Sequence, residues 1–546
     1  MPSVPPKGDV QGRSMGNGTF CAEDAAQSPP VRFKPRDYMS ESPPPFDEKD
    51  PNAAAATFVE QLPRDSNPAL KVSKDGLPLE PQPADDPFDP LNWPRVQKLA
   101  ILAVLCIWAF QGPAHMITIA PAFFVIAEDL KCSINVVTYL VGSPLLAYGV
   151  SSLFWVALGN KFGVRKCFVI SSLVAGLFSI WGAKADSFGS LTAARTLASA
   201  FMASPETLGP QVIADVFYLN DRAKCMALFT LFESSGFAIG SLMGAYTTVN
   251  LGWRWIEWVH VILCLICFVL LLLFFPETQY TRESNAQHHR KRRLIDNLTF
   301  PKVSGGGRSK VNNFWHAFIY PFRYIPHPAV LVMTINFSLL LMVTNYMLTS
   351  NTFIFEGEYG FSIKKTGLTA LSPFLATCLA IPYSGALNDW YIARNRHHAD
   401  FQPEWRLVFF ALSAVLSPVG CIIVGVCAQN HDQFVSILVG EGLIMFSFLV
   451  ACNLTQTYLV DVYIARADAA LVIQNGFKNF AAFGISYAIV PWNTSAGYAI
   501  PFGVLAVICF VAHVPIFIFW WKGPRIRAWS AKIWKEARPS HHGDSF

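Results

Sequence analysis

Arg195, Glu206, Glu233, Glu441 and Lys478 are ionisable residues inside long apolar stretches of this chain. A charge at membrane depth is costly, so residues of this kind face a cavity or a partner and mark an ion or substrate path. A carboxylate moved into a low-dielectric site binds protons more tightly than in water. It can take up a proton near neutral pH and exchange it for a cationic solute. A buried ammonium finds a carboxylate or gives up its proton. Lys478 therefore needs a partner, and Glu206, Glu233 and Glu441 are the candidates. The competing role for both glutamates of the 188–248 region is structural, as hydrogen-bonded links between helices.

Helical geometry groups these residues. Arg195 and Glu206 are eleven positions apart, which places them within about 20° on one helical face. Glu206 sits beside Pro205. Glu206 is expected to be the main proton site and Glu233 the second. Glu233, Gly236, Gly240 and Gly244 step by three and four, so they share one stripe along which a second helix can approach closely. Trp108, Gln111, His115 and Thr118 form a polar and aromatic stripe on an otherwise apolar helix. That stripe is expected to face a cavity, with an interhelical hydrogen-bond seam as the alternative. Asn345 and Tyr346, then Asn453, Gln456 and Thr457, then Gln474, Asn475 and Asn479 beside Lys478, supply polar groups to three further apolar segments.

These groups must be positioned by membrane helices. The chain has 546 residues, 52% hydrophobic and 14% charged, against about 25% charged in soluble domains. Mean hydropathy is +0.35. A span needs about 20 mainly apolar residues. Twelve such segments follow one another: 98–125, 134–158, 166–184, 188–212, 223–248, 254–276, 329–352, 366–387, 406–428, 433–459, 468–491 and 499–521. The reading is an all-α membrane protein of twelve helices in two halves. Residues 1–94 hold 18 of the 37 prolines and read as a disordered cytosolic tail. Residues 95–276 and 329–522 form the two six-helix halves, 277–328 a cytosolic connection, and 523–546 a cytosolic tail. With both termini inside, 17 lysines and arginines fall in the inner connections and 5 in or beside the outer ones, as the positive-inside rule requires. The basic run His288–Arg293 is read as a cytosolic marker and not as a nucleic-acid patch. No apolar stretch within residues 1–30 suits a signal peptide, so the first span is expected to serve as its own insertion signal. Asn493 opens a sequon on the outer side and is a candidate for glycosylation; the sequon at Asn17 lies in the tail placed in the cytosol.

Local motifs resemble the major facilitator superfamily. Its loop after the second span, G-x-L-a-D-R-x-G-R-K, is matched by Val156-Ala-Leu-Gly-Asn-Lys-Phe-Gly-Val-Arg-Lys166. Gly163, Arg165 and Lys166 fit, and Asn160 stands where the aspartate belongs. The resemblance implies a charge-based latch there, with Asp215 as a substitute acid and Arg222 nearby. Arg195-Thr-Leu-Ala-Ser199 resembles the fourth-span motif R-x-x-x-G, whose arginine is linked to proton transfer in related antiporters. Gly236-Phe-Ala-Ile-Gly-Ser-Leu-Met-Gly-Ala245 resembles the antiporter motif of the fifth span without its proline. Asp89-Pro-Leu-Asn-Trp93, Pro205-Glu-Thr-Leu-Gly-Pro210, Asp215-Val-Phe-Tyr-Leu-Asn-Asp-Arg222, Gly252-Trp-Arg-Trp255, Pro276-Glu-Thr278 and Tyr458-Leu-Val-Asp-Val-Tyr463 look like the fungal drug:proton antiporter branch. They are most similar to its Hol-type cation and polyamine transporter subgroup. The likeness spans nearly all of residues 89–525. It implies that spans 1, 4, 7 and 10 line a central cavity.

The function expected is secondary active transport coupled to protons. The wider reading is export of drugs or secondary metabolites; the specific alternative is import of polyamines or organic cations, and a transporter-like sensor without net flux is a third. An enzyme is disfavoured, since no HExxH, serine elbow or usefully spaced cysteine–histidine pair occurs in a loop. No P-loop is present, which disfavours an ATP-driven pump. Cys264 and Cys267 form a CxxC within an apolar run, a context that disfavours metal or redox chemistry. The partners expected are a small-molecule substrate, protons and the lipid bilayer, with no cofactor and no nucleic acid, in a monomer at the plasma membrane.

Overall fold

The computed structural model describes residues 83, 86, 88–280, 314–395, 402–463 and 467–533. Among them the regular structure is helical throughout. The long helices are α1 (Arg95–Ile117), α2 (Tyr139–Phe162), α3 (Val164–Ala183), α4 (Phe188–Met202), α5 (Ser204–Val216), α6 (Leu219–Leu251), α7 (Arg254–Phe274), α8 (Pro328–Thr352), α9 (Leu371–Pro382), α10 (Phe410–Asn430), α11 (Phe434–Val462), α12 (Ala467–Ser486) and α13 (Ala499–Ile533).

Ten helical stretches among the described residues are long and apolar enough to cross a membrane. The two expected segments outside that set are 188–212 and 468–491. Both are helical, and both carry the charges that matter: Arg195 and Glu206 in one, Lys478 in the other. The first is also broken. α4 stops at Met202 and α5 restarts at Ser204. Pro205 causes the break, because its ring has no N–H to donate and clashes with the carbonyl a turn earlier. In the first turn of a new helix neither matters.

The outward surface is apolar, with Leu375, Leu379, Val507 and Phe510 all more than half exposed. Exposure of that extent marks a surface that meets another apolar phase. Buried polar residues concentrate inside: Arg195, Glu257, His115, His260 and Glu441 are fully covered. α1 packs along α6, α3 against α4 and α7, and α2 against α4. α8 packs with α11, α12 and α13, α10 with α11 and α13, and α9 with α11. Two further seams run α2 to α12 and α6 to α9.

Alternation of the helices puts residues 95, 163, 275, 328 and 463 at one end, here the terminal end, and residues 118–138, 353–362 and 487–498 at the other, the distal end. Segments placed outside the helical halves are partly structured. Asp86 and residues 88–94 are described, and Asp86, Asp89, Leu91 and Trp93 are buried. Asp89 caps the turn Pro90–Asn92 through Leu91 N–H at 3.0 Å. The Leu91 carbonyl accepts from Lys98 Nζ at 3.0 Å and from the Tyr218 hydroxyl at 2.9 Å, and Asp86 accepts from the Tyr280 hydroxyl at 3.0 Å. Folded structure therefore begins ahead of residue 95. At the other terminus, α13 runs through residue 533, past the boundary expected at 522. Phe314–Ile319, inside the expected connection, is also helical. The basic run at 288–293 and the rest of both tails lie outside the described residues.

The distal end is closed. Thr352 donates to the Ala120 carbonyl at 3.1 Å, the Phe123 and Phe353 rings stack at 5.9 Å, and Thr138 donates to the Ser486 carbonyl at 2.9 Å.

Candidate functional site

The break between α4 and α5 places Glu206 in the first turn of α5. There the unpaired N–H groups and the helix dipole favour a negative charge. The break is pinned by Ser204, which accepts from Trp108 Nε1 at 3.2 Å and shares a hydrogen bond with Ser171 at 2.7 Å. Glu206 forms a buried ion pair with Lys478 of α12. The ammonium also lies 4.9 Å from the centre of the Phe337 ring of α8, close enough for a cation–π attraction. Glu233 of α6 stands beside the pair, within electrostatic reach of both partners. Tyr148 of α2 and Cys452 of α11 complete the surroundings. The Tyr148 ring fits because α1 has Gly112 opposite it; a Cβ there would lie 2.7 Å from the ring. Five helices besides α12 thus converge on one lysine. Two carboxylates share one ammonium, so with both ionised the cluster carries a net negative charge. Protons and cations can compete for that charge.

Arg195 does not join this cluster. The break separates it from Glu206, and the two residues belong to different networks despite their spacing. Arg195 pairs with Glu257 of α7, with both side chains fully buried. It also donates to the His115 carbonyl and, at 3.2 Å, to the Leu140 carbonyl. His115 contacts Ser199 at 3.0 Å and Glu257 at 3.4 Å. His260 contacts Gln111 at 3.4 Å and Thr118 at 3.2 Å, and the two imidazoles meet edge to face at 4.8 Å. The stripe Trp108, Gln111, His115 and Thr118 is therefore an interhelical seam against α4, α5 and α7, and not a cavity wall. Its side chains are 0–1% exposed.

Asn345 and Tyr346 are also committed to neighbours. Asn345 donates to the Ala482 carbonyl and to Ser486, each at 3.0 Å. The Tyr346 hydroxyl donates to Asn493 Oδ1 at 2.5 Å, and Asn493 Nδ2 reaches Ser350 at 3.2 Å. Asn493 is buried by these contacts. Asn453 donates to Ser384 at 2.8 Å, and Asn475 is buried on α12. Glu441 is buried near the distal end of α11, apart from Lys478.

The glycines of α6 lie where α1 crosses. A Cβ at Gly244 would clash with the Thr118 carbonyl oxygen, at Gly240 it would stand 2.9 Å from Ala114, and at Gly236 2.6 Å from the Phe110 carbonyl oxygen. At the terminal end Gly163 adopts φ 95°, which glycine reaches without strain. A carboxylate that serves this loop is Glu277. It accepts from the backbone N–H groups of Val164 at 3.2 Å and Arg165 at 3.3 Å. Burial pushes the Glu277 carboxyl up, against the pull of its backbone donors. Arg165 donates to the Leu272 carbonyl at 3.1 Å, and Lys166 follows half-buried. Asp215 lies in the last turns of α5, and Arg222 donates to the adjacent Ala214 carbonyl at 2.8 Å.

Glu257, His260 and Tyr148 went unread as site residues. Glu257 and His260 are three apart on α7, but they sit near a span end, where polar residues look like a boundary. Tyr148 gave no signal, since an isolated tyrosine in an apolar run resembles packing.

The profile of the Major Facilitator Superfamily matches residues 99–491. The chain is 25% identical to the MFS transporter cpaT of Aspergillus oryzae, over 81% of this chain and 90% of that protein. It is 24% identical to the efflux pump radE of Floropilus chiversii, over 81% and 84%. It is 26% identical to the multidrug transporter TPO1_2 of Candida glabrata, over 81% and 77%. The fold matches the MFS proton:xylose symporter XylE with a TM-score of 0.54 at 13% identity, covering 79% of this chain and 96% of that one.

Proposed function

The chain belongs to the Major Facilitator Superfamily and is a secondary transporter, not an enzyme; from that premise we propose that it moves protons against a small organic solute and exports drug-like compounds or secondary metabolites. The observation that carries this reading is the Glu206–Lys478 pair at the broken helix, with Glu233 beside it. Secondary carriers bind near the midplane on discontinuous helices and alternate access by rocking around the site. Here a proton arriving on Glu206 removes the charge that holds Lys478. The freed ammonium then has Glu233 as its partner, and the electrostatic state of the cluster changes. Deprotonation restores the pair. A cationic solute entering beside Glu233 competes with Lys478 for the same carboxylates, so proton and solute occupy the site in turn.

Twelve spans, two six-helix halves, both termini in the cytosol and a monomer at the plasma membrane complete this reading. α4 with α5, and α12, supply the two spans whose charges lower their hydropathy. The lysine and arginine distribution supports a cytosolic terminal end, and the contacts at the distal end then lie on the outer side. Relatives named as efflux pump and multidrug transporter support export.

A second reading, import of polyamine-like cations, is favoured by the two carboxylates that share one lysine. The test is flux of ethidium and of spermidine, with the native chain and E206Q expressed side by side in cells lacking their own carriers. Ethidium efflux lost in E206Q supports export. Saturable spermidine uptake lost in E206Q supports the second reading. Neither flux in a well-expressed native chain refutes both.

A further inference from the structure

Glu441 is fully buried in α11, with no cation beside its carboxyl among the described residues. An ionised carboxylate in such a place would lack a counter-charge, which is costly. The helices packed against α11 here offer little to offset that. From α8, the Asn351 side chain hydrogen-bonds to the carboxyl. α9 presents Ser372 to the neighbouring Gly442, and α10 presents Gly420, Val424 and Ile423 to Gly440, so neither flank brings a charge. Lys478 is committed to Glu206. Of the two carboxylates on the segment that follows α8, Glu356 engages Thr366 and Glu358 engages Tyr498.

The position has a second feature. Glu441 and Cys452 are eleven residues apart on α11, on one face within about 20° and about 16 Å apart along the axis. Cys452 borders the Glu206–Lys478 cluster. On α8, Phe337 lies over Lys478 and Asn351 lies beside Glu441; fourteen residues separate them, within about 40° of one face. Two helices thus run together from the central cluster to Glu441. Between the two sites the space is closed by apolar groups: Met445 is fully buried, and Phe448 stacks on Phe337 at 5.7 Å.

We propose that Glu441 is a second proton-holding site, on the distal half of the molecule, which carries its proton in this conformation and is separated from Glu206 and Lys478 by the Met445–Phe448–Phe337 plug. The carboxylic acid form fits the site because a neutral group needs no counter-cation. The ligand is a proton from the distal side, and the proton leaves when rocking of the halves opens the plug and hydrates the carboxyl. This goes beyond the transport reading, and its test needs no substrate, so failure of one is distinguishable from failure of the other.

The test is infrared spectroscopy of the purified full chain in lipid nanodiscs near neutral pH, in light and heavy water. The native chain should show a protonated-carboxyl C=O band that shifts in heavy water. E441Q should lose that component, whereas E128Q, at an exposed position, should keep it. N351L should keep the band and move its frequency, because the neighbouring amide is gone. Glutamine mimics the neutral acid, so E441Q should fold and melt like the native chain. The proposal is overturned if E441Q removes an ionised-carboxylate band instead, if the protonated band survives E441Q unchanged, or if E441Q fails to fold.

Discussion

Removing the Lys478 ammonium tests the central cluster quantitatively. In K478M, Glu206 remains buried without its partner. At a separation of about 3 Å and an effective dielectric of about 20, the gross attraction lost is about 5–6 kcal/mol. Measured losses for breaking a buried pair run about 3–5 kcal/mol, since the charge left behind is uncompensated. The side chains of Lys478 and Glu206 are only 10% and 5% exposed, so solvent screening offsets little of this. At about 2 °C per kcal/mol for a large domain, a loss of about 3 kcal/mol lowers the apparent melting temperature by about 6 °C. The assay is tryptophan fluorescence on heating, at one fixed scan rate because membrane proteins unfold irreversibly. The double variant E206Q/K478M replaces both charges, and it should recover most of the loss, with a coupling energy above about 2 kcal/mol. If K478M melts like the native chain, or if the double variant is no more stable than K478M, the pair does not hold this conformation and the reasoning fails.

The remaining predictions address other parts of the fold. E257Q leaves Arg195 buried without its charge partner and should cost about 3–5 kcal/mol, read as a lower melting temperature that R195M/E257Q partly restores. G244A puts a Cβ against the Thr118 carbonyl, so α1 and α6 must separate; the yield of monodisperse protein in size-exclusion chromatography should fall, whereas G189A, in open space, should be silent. N493Q should leave the electrophoretic mobility of the secretory-pathway product unchanged, because Asn493 carries no glycan when it is buried. The folded chain holds the Glu277 proton more tightly than the unfolded chain, since burial pushes that carboxyl up. Its contribution is therefore greatest at low pH and declines as pH rises through the folded value; E277Q should flatten that part of the melting-temperature profile between mildly acidic and neutral pH.

Much of this architecture is legible in the sequence, and the exceptions have physical causes. Apolar length alone locates the long helices, because a membrane span has to be about 20 residues of mostly apolar character. Glu206 and Lys478 stand out by the same rule, since each is a charge that apolar surroundings do not explain. Which carboxylate Lys478 meets depends on how α5, α6 and α12 converge, and no pattern along one helix carries that. The phase argument linking Arg195 to Glu206 assumes a continuous helix. Pro205 breaks it, and the two residues go to different networks. The stripe on α1 is a real periodicity, but a polar stripe faces a polar helix as readily as a cavity. Glu257 and His260 of α7 decide the matter, and they are distant in the chain. Asn493 illustrates the same limit: its sequon is a local pattern, whereas its burial by Tyr346 and Ser350 is a tertiary fact.

The most direct test of the account is proton movement in proteoliposomes containing the native chain or E206Q, with an internal pH-sensitive dye, on addition of ethidium or spermidine. The account predicts a solute-dependent pH change with the native chain and none with E206Q, at equal protein incorporation. Full solute-coupled proton movement in E206Q would contradict it and remove the Glu206–Lys478 pair from the transport mechanism.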